Sequence, residues 1–297
     1  MPLTDRIIDI SECGADLSVR HSQLVISSSG AEITVPMAEI SVIVISHPAV
    51  RISHAVLSGM CSSGGICVFC TEKHLPAGML LPIEGNSVQA ERFVKQAQSP
   101  LPTRKKVWKH IAREKILSQG RLLKKLTGDD KGLNFMADKV RAGDPSNLEA
   151  QAGRRYWKAL FGNAFRRNPY AEDQNRLLNY GYAVLRAATA RAICSSGLHP
   201  SIGLHHHNKY DPFCLADDLM EPFRPIVDEA AYQIAAEKGP TVALDKETKK
   251  TIIKSIVDKR FDAQGESRTL FDVMTRVTAS LADVYLETRN NIFLPEF

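Results

Sequence analysis

The feature of this 297-residue sequence that most constrains its fold is a change of hydrophobic pattern near residues 82–86. Before this point, short runs of β-branched residues alternate with turn-forming Gly, Ser and His residues. After it, strand patterns nearly vanish and apolar residues recur at helical spacing to the C-terminus. The sequence therefore predicts an α+β fold, with a β-rich domain over residues 1–85 followed by a larger all-α domain over residues 86–297.

The same periodicities predict the individual elements. Strands are expected over residues 6–10, 17–20, 23–26, 32–35, 41–45 and 66–70, with one more within 75–81, and a short helix capped by Ser53 over residues 53–61. In the second part, helices are expected over residues 146–161, 176–196, 216–236, 245–257 and 268–287, and Val107, Ile111 and Ile116 indicate a further helix among lysines and arginines.

Composition excludes several classes of protein. Hydrophobic residues make up 44% of the chain and charged residues 24%, which is typical of a globular protein and not of a disordered or fibrous one. No apolar stretch approaches the roughly 20 residues that a bilayer span needs, and the first residues lack the basic and apolar regions of a signal peptide. We therefore expect a cytoplasmic protein that does not enter a membrane.

The six cysteines allow one alternative to buried thiols. Cys67 and Cys70 form a C-x-x-C pair, and Cys61 and His74 lie near enough in sequence to complete a zinc site. However, residues 66–70 are predicted to form a strand, whose alternation points Cys67 and Cys70 to opposite faces. A second pair at zinc-binding spacing is also missing, so the sequence favours buried thiols over structural zinc.

Positive charge is concentrated in one segment. Residues 101–170 carry 17 basic and 6 acidic side chains, a net charge of +11, whereas residues 1–100 and 171–297 each carry a net charge of −3. A basic segment inside an otherwise mildly acidic chain is typical of a surface that binds a polyanion such as nucleic acid. A set of solvated helix faces is the alternative that charge alone leaves open.

Three clusters in the helical part carry groups suited to metal binding. The first contains Glu149, although the spacing of Ser146 and Glu149 is equally that of a helix capping box. The second is the run of three adjacent histidines, and histidine is a common metal ligand. The third places Asp218 and Glu221 three residues apart, on one face of a helix if residues 216–236 are helical. The three histidines are His205, His206 and His207.

Taken together, these clusters predict a site for a hard divalent cation beside a basic surface. Carboxylate oxygens with one imidazole suit Mg²⁺ or Mn²⁺ better than structural zinc. Such an ion can stabilise the charge on a phosphoryl transition state, so the combination predicts phosphodiester chemistry on nucleic acid. A general metal-dependent DNA nuclease and a non-catalytic, architectural DNA-binding protein remain alternatives.

Three long stretches in this order resemble the CRISPR-associated adaptation integrases, which insert spacers into CRISPR arrays. The most specific is GLHHHNKYDPFCLADDLMEPFRP at residues 203–225, which is similar to the version that accompanies type II systems. DPSNLEAQAGRRYWKALFG at residues 144–162 resembles the segment with the family's glutamate ligand, and NYGYAVL at residues 179–185 resembles the helix between them.

The resemblance implies the roles of individual residues. It makes Glu149, His206 and Glu221 the catalytic residues and the ligands of Mg²⁺ or Mn²⁺, with His206 selected because the family's histidine stands three residues after a glycine, here Gly203. Asp218 would assist at the metal. Contacts to DNA phosphates are implied for Arg154, Arg155, Arg166, Arg167 and Arg224, of which Arg224 has packing as its alternative role.

The resemblance also implies an assembly and a reaction. The β-rich domain would form a homodimer, and two dimers would flank a dimer of a small ferredoxin-like adaptation subunit in a heterohexamer that carries prespacer DNA. The 3′-hydroxyl of the prespacer would attack a phosphodiester at the leader–repeat junction of the CRISPR array, without ATP. In type II systems the RNA-guided effector nuclease is the implied partner that selects the prespacer.

Overall fold

Two four-stranded β-sheets form the N-terminal part of the chain in a computed structural model, which describes residues 5–71, 76–263 and 265–295. The strands are β1 (Arg6–Ile10), β2 (Asp16–Arg20), β3 (Gln23–Ser28), β4 (Ala31–Pro36), β5 (Ile40–Ile45), β6 (Arg51–Ile52), β7 (Ile66–Cys70) and β8 (Pro76–Leu80). These strands confirm the predicted ones; the short β6 was not predicted, and residue 75 lies outside the described residues.

The two sheets differ in strand direction. Sheet A has the order β1-β5-β7-β8, in which β1, β5 and β7 are parallel and β8 is antiparallel to β7. Sheet B has the order β4-β3-β2-β6, with antiparallel pairing from β4 to β2. The predicted short helix, α1 (His54–Ser62), lies in the connection from β5 to β7, because parallel strands need a crossover.

Strand β5 is buried on both faces, and this joins two apolar cores. Val42 and Val44 contribute to the large core of the helical part, whereas Ile43 and Ile45 contribute to a smaller core between the sheets and α1. The sequence of such a strand is a nearly continuous run of apolar residues, because both of its faces are covered.

Strand β7 places the two cysteines of the C-x-x-C pair in different cores. Cys67 lies in the smaller core between the sheets, and Cys70 packs against the large helical core, so the predicted opposite orientation is confirmed. His74 lies outside the described residues. Burial raises the pKa of the Cys67 thiol to about 12 and that of Cys70 to about 11, so both are protonated thiols at neutral pH.

The rest of the described chain is mostly helical, which confirms the predicted α+β class. Its helices are α2 (Gln89–Ala97), α3 (Leu101–Thr127), α4 (Leu133–Asp138), α5 (Leu148–Phe161), α6 (Asn175–Ser195), α7 (Cys214–Met220), α8 (Arg224–Lys238), α9 (Lys246–Val257) and α10 (Leu270–Tyr285). Within the described residues, no helix is both long and apolar enough to cross a bilayer.

The helical part differs from the prediction in several details, and α2 and α4 were not predicted. The single helix predicted over residues 216–236 is interrupted by a 3₁₀ turn at Glu221–Phe223, because Pro222 and Pro225 have no N–H to donate to a continuous α-helix. A short antiparallel pair, β9 (Arg260–Asp262) and β10 (Ser267–Thr269), precedes α10, so this part is not entirely α-helical.

Helix α6 lies at the centre of the molecule and fixes the sheets to the other helices. The Tyr180 hydroxyl donates to Asp9 Oδ2 on β1 at 2.7 Å, and Arg191 Nε donates to the Gly64 carbonyl at 2.9 Å. From α9, Lys249 Nζ donates to Ser11 Oγ and contacts Glu12 Oε1, both at 2.8 Å. The β-rich and helical parts therefore share a core and polar contacts.

Candidate functional site

One lysine brings together two of the predicted carboxylates. Lys115 Nζ, from the middle of α3, contacts Glu149 Oε1 at the start of α5 and lies 2.6 Å from Glu221 Oε2 at the end of α7. The Lys115 side chain is only 12% exposed, and the Glu149 and Glu221 side chains are 23% and 5% exposed. The fold therefore places Glu149 and Glu221, which are 72 residues apart in sequence, around one largely buried cation.

The start of α5 shows that Glu149 is not part of a capping box. The helix begins at Leu148 with Asn147 at the N-cap position, so Ser146 stands one residue too early to cap it. Asp144 takes over this function, since its carboxylate accepts the backbone N–H groups of Leu148 at 3.0 Å and Glu149 at 2.8 Å. The Glu149 side chain is thereby left to contact α3.

Glu221 is a buried carboxylate held ionised by two cations. Burial by itself would raise the pKa of Glu221, but Arg224 and Lys115 outweigh it and lower that pKa to about 2. Arg224 Nε lies 3.1 Å from Glu221 Oε2, and yet this oxygen is buried and accepts no well-aligned hydrogen bond from the described residues. Glu221 therefore keeps its charge at neutral pH, compensated by two neighbouring cations.

Asp218 fixes the loop that carries the histidines. Its carboxylate is completely buried and accepts the backbone N–H groups of Leu204 at 2.6 Å, His205 at 3.0 Å and His206 at 3.2 Å. Asp218 Oδ1 also lies 2.6 Å from His206 Nδ1, and this hydrogen bond raises the pKa of His206. With Nδ1 engaged by a carboxylate, Nε2 is the ring nitrogen left to bind a ligand.

The three adjacent histidines lie in three different environments. The His205 ring stacks on Trp108 at 4.2 Å between ring centroids, and burial lowers its pKa. His206 bonds to Asp218, and His207 is exposed. His206 is thus the histidine that is both oriented by a carboxylate and close to Glu221, whose charge also contributes to its raised pKa.

Arg224 belongs to a buried polar network behind Glu221. Its guanidinium lies over the Tyr182 ring, 4.6 Å from the centroid. The Tyr182 hydroxyl donates to Asp228, and the Tyr156 hydroxyl donates to the same carboxylate at 2.8 Å. Burial raises the pKa of Asp228 to about 7. Arg224 packs here instead of facing solvent.

The other predicted DNA-binding arginines fall into two groups. Arg154, Arg155 and Arg166 are exposed on or just after α5, where they are accessible to a phosphate backbone. Arg167 instead turns inward and donates to Asn175 Oδ1 at 2.7 Å and Asn179 Oδ1 at 2.6 Å. The structure therefore places Arg167 in a supporting position, near Tyr182.

Sequence reasoning missed Lys115, Tyr182 and Asp228. Lys115 follows the buried Ile111 by four residues on α3, so its place in the apolar stripe of that helix is the signal that could have revealed it. The buried positions of Tyr182 and Asp228 depend on how α6 packs against α8, which no local pattern specifies.

The residues of this site are of the types that bind a hard divalent cation, and its two carboxylates already lie close to one common position. Among the described residues, no group of three or more His, Cys, Asp and Glu side chains lies close enough to hold a metal ion. However, Glu149 and Glu221 already converge on a single cation, the Lys115 ammonium group, and the Glu221 side chain is only 5% exposed. Two carboxylates with one oriented imidazole are donors that Mg²⁺ and Mn²⁺ accept.

The chain joins a β-rich part to a mostly helical part, and this fold is shared by a class of CRISPR-associated proteins, as a Thermotoga maritima Cas1 structure with a TM-score of 0.75 shows. The family model described as CRISPR associated protein Cas1 matches residues 8–258. A Neisseria meningitidis protein named CRISPR-associated endonuclease Cas1 is 35% identical over 286 residues, which cover 95% of this chain and 93% of that protein. The chain therefore belongs to the Cas1 family.

Solved structures share the fold. A casposase bound to integration product superposes with a TM-score of 0.77 at 18% identity and covers 97% of this chain and 92% of that one. A Cas6-RT-Cas1–Cas2 complex superposes with a TM-score of 0.75 at 14% identity and covers 99% of this chain and 36% of that one. These matches extend over both the β-rich and the helical parts.

Proposed function

We propose that this chain is the integrase of CRISPR adaptation, a metal-dependent DNA endonuclease and strand-transfer enzyme. Membership of the Cas1 family, the name of the Neisseria meningitidis relative as an endonuclease and the integration product bound by the casposase all support this function. The observation that carries the proposal is the convergence of Glu149 and Glu221, from separate helices, on one buried cationic position beside the basic segment.

In the proposed reaction, the 3′-hydroxyl of the prespacer attacks a phosphodiester at the leader–repeat junction. One new phosphodiester forms as one breaks. The target strand leaves with the 3′-oxygen of the broken bond, which takes up a proton in place of the one that the attacking hydroxyl loses, so no ATP is consumed. An Mg²⁺ or Mn²⁺ ion bound by Glu149, His206 and Glu221 would stabilise the negative charge that develops on the phosphate.

The remaining residues prepare this site. Asp218 holds His206 through Nδ1, and Arg224 keeps Glu221 ionised. The exposed arginines on and after α5, together with the basic face of α3, would hold the DNA backbone without reading its sequence. Selection of the prespacer is therefore assigned to a partner, in type II systems the RNA-guided effector nuclease.

The proposed assembly includes partner subunits. We assign homodimer formation to the β-rich part and the bridging role between two dimers to a small ferredoxin-like subunit, which gives a heterohexamer. The fold match to a Cas6-RT-Cas1–Cas2 complex supports a partner of this kind, since that structure contains the same fold next to Cas2.

The test is resolution of a branched DNA that mimics a half-site integration product, in Mn²⁺ and in EDTA. We expect metal-dependent release of the branch with rejoining of the target strand, because strand transfer is reversible. Glu149→Gln and His206→Ala should abolish this reaction. The matched control is Glu247→Gln, which changes an exposed glutamate in the first turn of α9 and should remain active.

The products distinguish the alternatives. Free ends in place of a rejoined strand would identify a general nuclease. Tight DNA binding with no reaction in any metal, with and without the small partner subunit, would identify an architectural protein. Loss of activity in His205→Ala with full activity in His206→Ala would move the proposed metal ligand to His205.

A further inference from the structure

Lys115 differs from every other ion-paired lysine or arginine described on α3. Arg113, Arg121 and Lys125 pair with carboxylates on the surface, where their side chains are 43%, 42% and 64% exposed. Surface pairs of this kind contribute little to stability. The Lys115 side chain is 12% exposed and contacts two carboxylates at once. Its ammonium group therefore belongs to the interior of the site and not to the protein surface.

The position of Lys115 Nζ coincides with the position that a shared cation would take. Nζ is in contact with Glu149 Oε1 and lies 2.6 Å from Glu221 Oε2. A divalent cation binds carboxylate oxygens at about 2.0 to 2.6 Å. An ion that bridges these same two oxygens would therefore lie within the contact radius of the ammonium nitrogen, and both charges are positive. The two cannot occupy the position together.

The side chain of a lysine is able to move away from two carboxylates when another cation binds them. An ammonium group is a compact charge on a flexible four-carbon stem, unlike the planar fork of arginine. Glu221 Oε2 accepts no well-aligned hydrogen bond from the described chain, although Nζ is 2.6 Å away. Lys115 is therefore held by its hydrogen bond to Glu149 and mainly by charge at Glu221, and its flexible stem allows the ammonium group to withdraw from both when another cation competes for them.

We propose that Lys115 is a resident counter-ion that competes with the divalent cation for Glu149 and Glu221. It keeps the two carboxylates together and compensated when no divalent cation is bound, and it leaves them when the ion enters. This inference rests on the proposed metal site. Its consequence is that Lys115 weakens the apparent affinity for the metal, since the binding-competent arrangement is only a fraction of the population.

The experiment measures Mn²⁺ binding to the full-length protein without DNA, by the electron paramagnetic resonance signal of free Mn²⁺ and by calorimetry. Lys115→Met removes the charge but keeps most of the stem, and we expect it to bind Mn²⁺ at least about ten-fold more tightly than the wild type. Lys115→Arg keeps the charge and should stay close to the wild-type affinity or bind more weakly. Lys125→Met, on the surface of the same helix, should leave the affinity unchanged.

Thermal unfolding supplies a second measurement that does not depend on activity. In EDTA, Lys115→Met should unfold at a lower temperature than the wild type, because Glu149 and the buried Glu221 lose a compensating charge. Mn²⁺ should raise its midpoint by more than it raises that of the wild type. If Lys115→Met does not fold in EDTA, Lys115→Gln, which retains a hydrogen-bond donor, takes its place in both measurements.

Two results would overturn the inference. Equal or weaker Mn²⁺ binding by Lys115→Met, with wild-type binding that is lost in Glu149→Gln, would show that the metal site exists and that Lys115 does not compete for it. Absence of Mn²⁺ binding in the wild type and in Lys115→Met would remove the metal site itself, and the proposed function with it.

Discussion

At the scale of single residues, Asp218 shows how one carboxylate can organise a functional loop without being exposed. It accepts three consecutive backbone N–H groups and bonds to the ring of His206, all within one completely buried side chain. A carboxylate with these partners is fully used by the loop. These contacts fit a group that positions His206, and the accessory role at the metal that the sequence predicted for Asp218 stays a prediction.

Asp218→Asn tests this positioning role. The amide keeps the shape but replaces one acceptor oxygen with a donor that faces N–H groups, so we expect a loss of about 1 to 3 kcal/mol in the free energy of unfolding. The Mn²⁺ concentration needed for half-maximal resolution of branched DNA should rise about ten-fold or more. Urea denaturation and a Mn²⁺ titration measure the two effects. Asp272→Asn, an exposed change in α10, should alter neither, and an unchanged Mn²⁺ requirement in Asp218→Asn would contradict the role.

Asp228 makes stability depend on pH. Burial raises its pKa to about 7, against the hydrogen bonds from Tyr182 and Tyr156 and the charges of Arg224 and Arg167, which lower it. The pKa of Asp228 in the folded state exceeds the unfolded value of about 3.9. The contribution of the protonated carboxyl to the free energy of unfolding is therefore fully present below that lower value, and it is lost as the pH rises through about 7.

Asp228→Asn removes this dependence. We take the free energy of unfolding of the variant minus that of the wild type. We expect this difference to rise by about 2 to 4 kcal/mol from pH 4 to pH 8. Urea denaturation of both proteins across this range measures the difference. Asp262→Asn, which changes an exposed aspartate on β9, should give a difference that is flat with pH. A flat difference for Asp228→Asn as well would mean that Asp228 is ionised throughout.

At the scale of secondary-structure elements, local signals placed most strands and helices, and what they missed was set by other parts of the chain. The helix predicted over residues 216–236 continued its apolar pattern through Pro222, although the prolines required the 3₁₀ turn that now carries Glu221. The capping box at Ser146 had the right spacing, but Asp144 reaches the same amides because Asn147 adopts a left-handed conformation with φ of 51°. Local pattern cannot choose between two such caps.

The packing of α6 against α8 and α9 depends on one glycine. A Cβ at Gly181 would lie 2.3 Å from Val227 Cγ1 and 3.0 Å from Ile252 Cγ2. We expect Gly181→Ala to lower the free energy of unfolding by about 1 to 3 kcal/mol, because strain from overpacking exceeds the gain in helix propensity. Gly153→Ala on α5 has no atom within 4 Å of the added Cβ and should stabilise the protein by about 0.5 to 1 kcal/mol. Thermal unfolding measures both, and equal stabilisation by both alanines would contradict the close approach.

At the scale of the whole molecule, the site combines carboxylates that the sequence predicted with a lysine whose contacts only the fold reveals. Glu149 and Glu221 were predicted from a family resemblance, and the fold brings them together. Lys115, which joins them, belongs to the basic segment and could not be distinguished from its exposed neighbours by charge alone. The helical spacing of Lys115 from Ile111 marks it as inward-facing, but its contact with both carboxylates depends on the packing of α3 against α5 and α7.

The basic segment also divides into charges that hold the protein together and charges that face solvent. Lys115 and Arg167 are engaged internally, whereas Arg154, Arg155 and Arg166 are exposed. If these exposed arginines contact phosphates as proposed, each contact releases counterions, and this release makes DNA binding depend steeply on salt.

Replacing Arg154, Arg155 and Arg166 together with glutamine should therefore weaken duplex binding and reduce the slope of log affinity against log salt by up to about 3, near 0.9 for each lost phosphate contact. Fluorescence anisotropy over a series of salt concentrations measures the slope. The free energy of unfolding should fall only slightly, by the hydrogen bonds that Arg155 donates to the Lys131 carbonyl and Arg166 to the Asn163 and Phe165 carbonyls. Equal slopes for this variant and a charge-matched control would contradict a DNA surface beside α5. That control replaces the exposed lysines of α9 with glutamine at Lys246, Lys250 and Lys254.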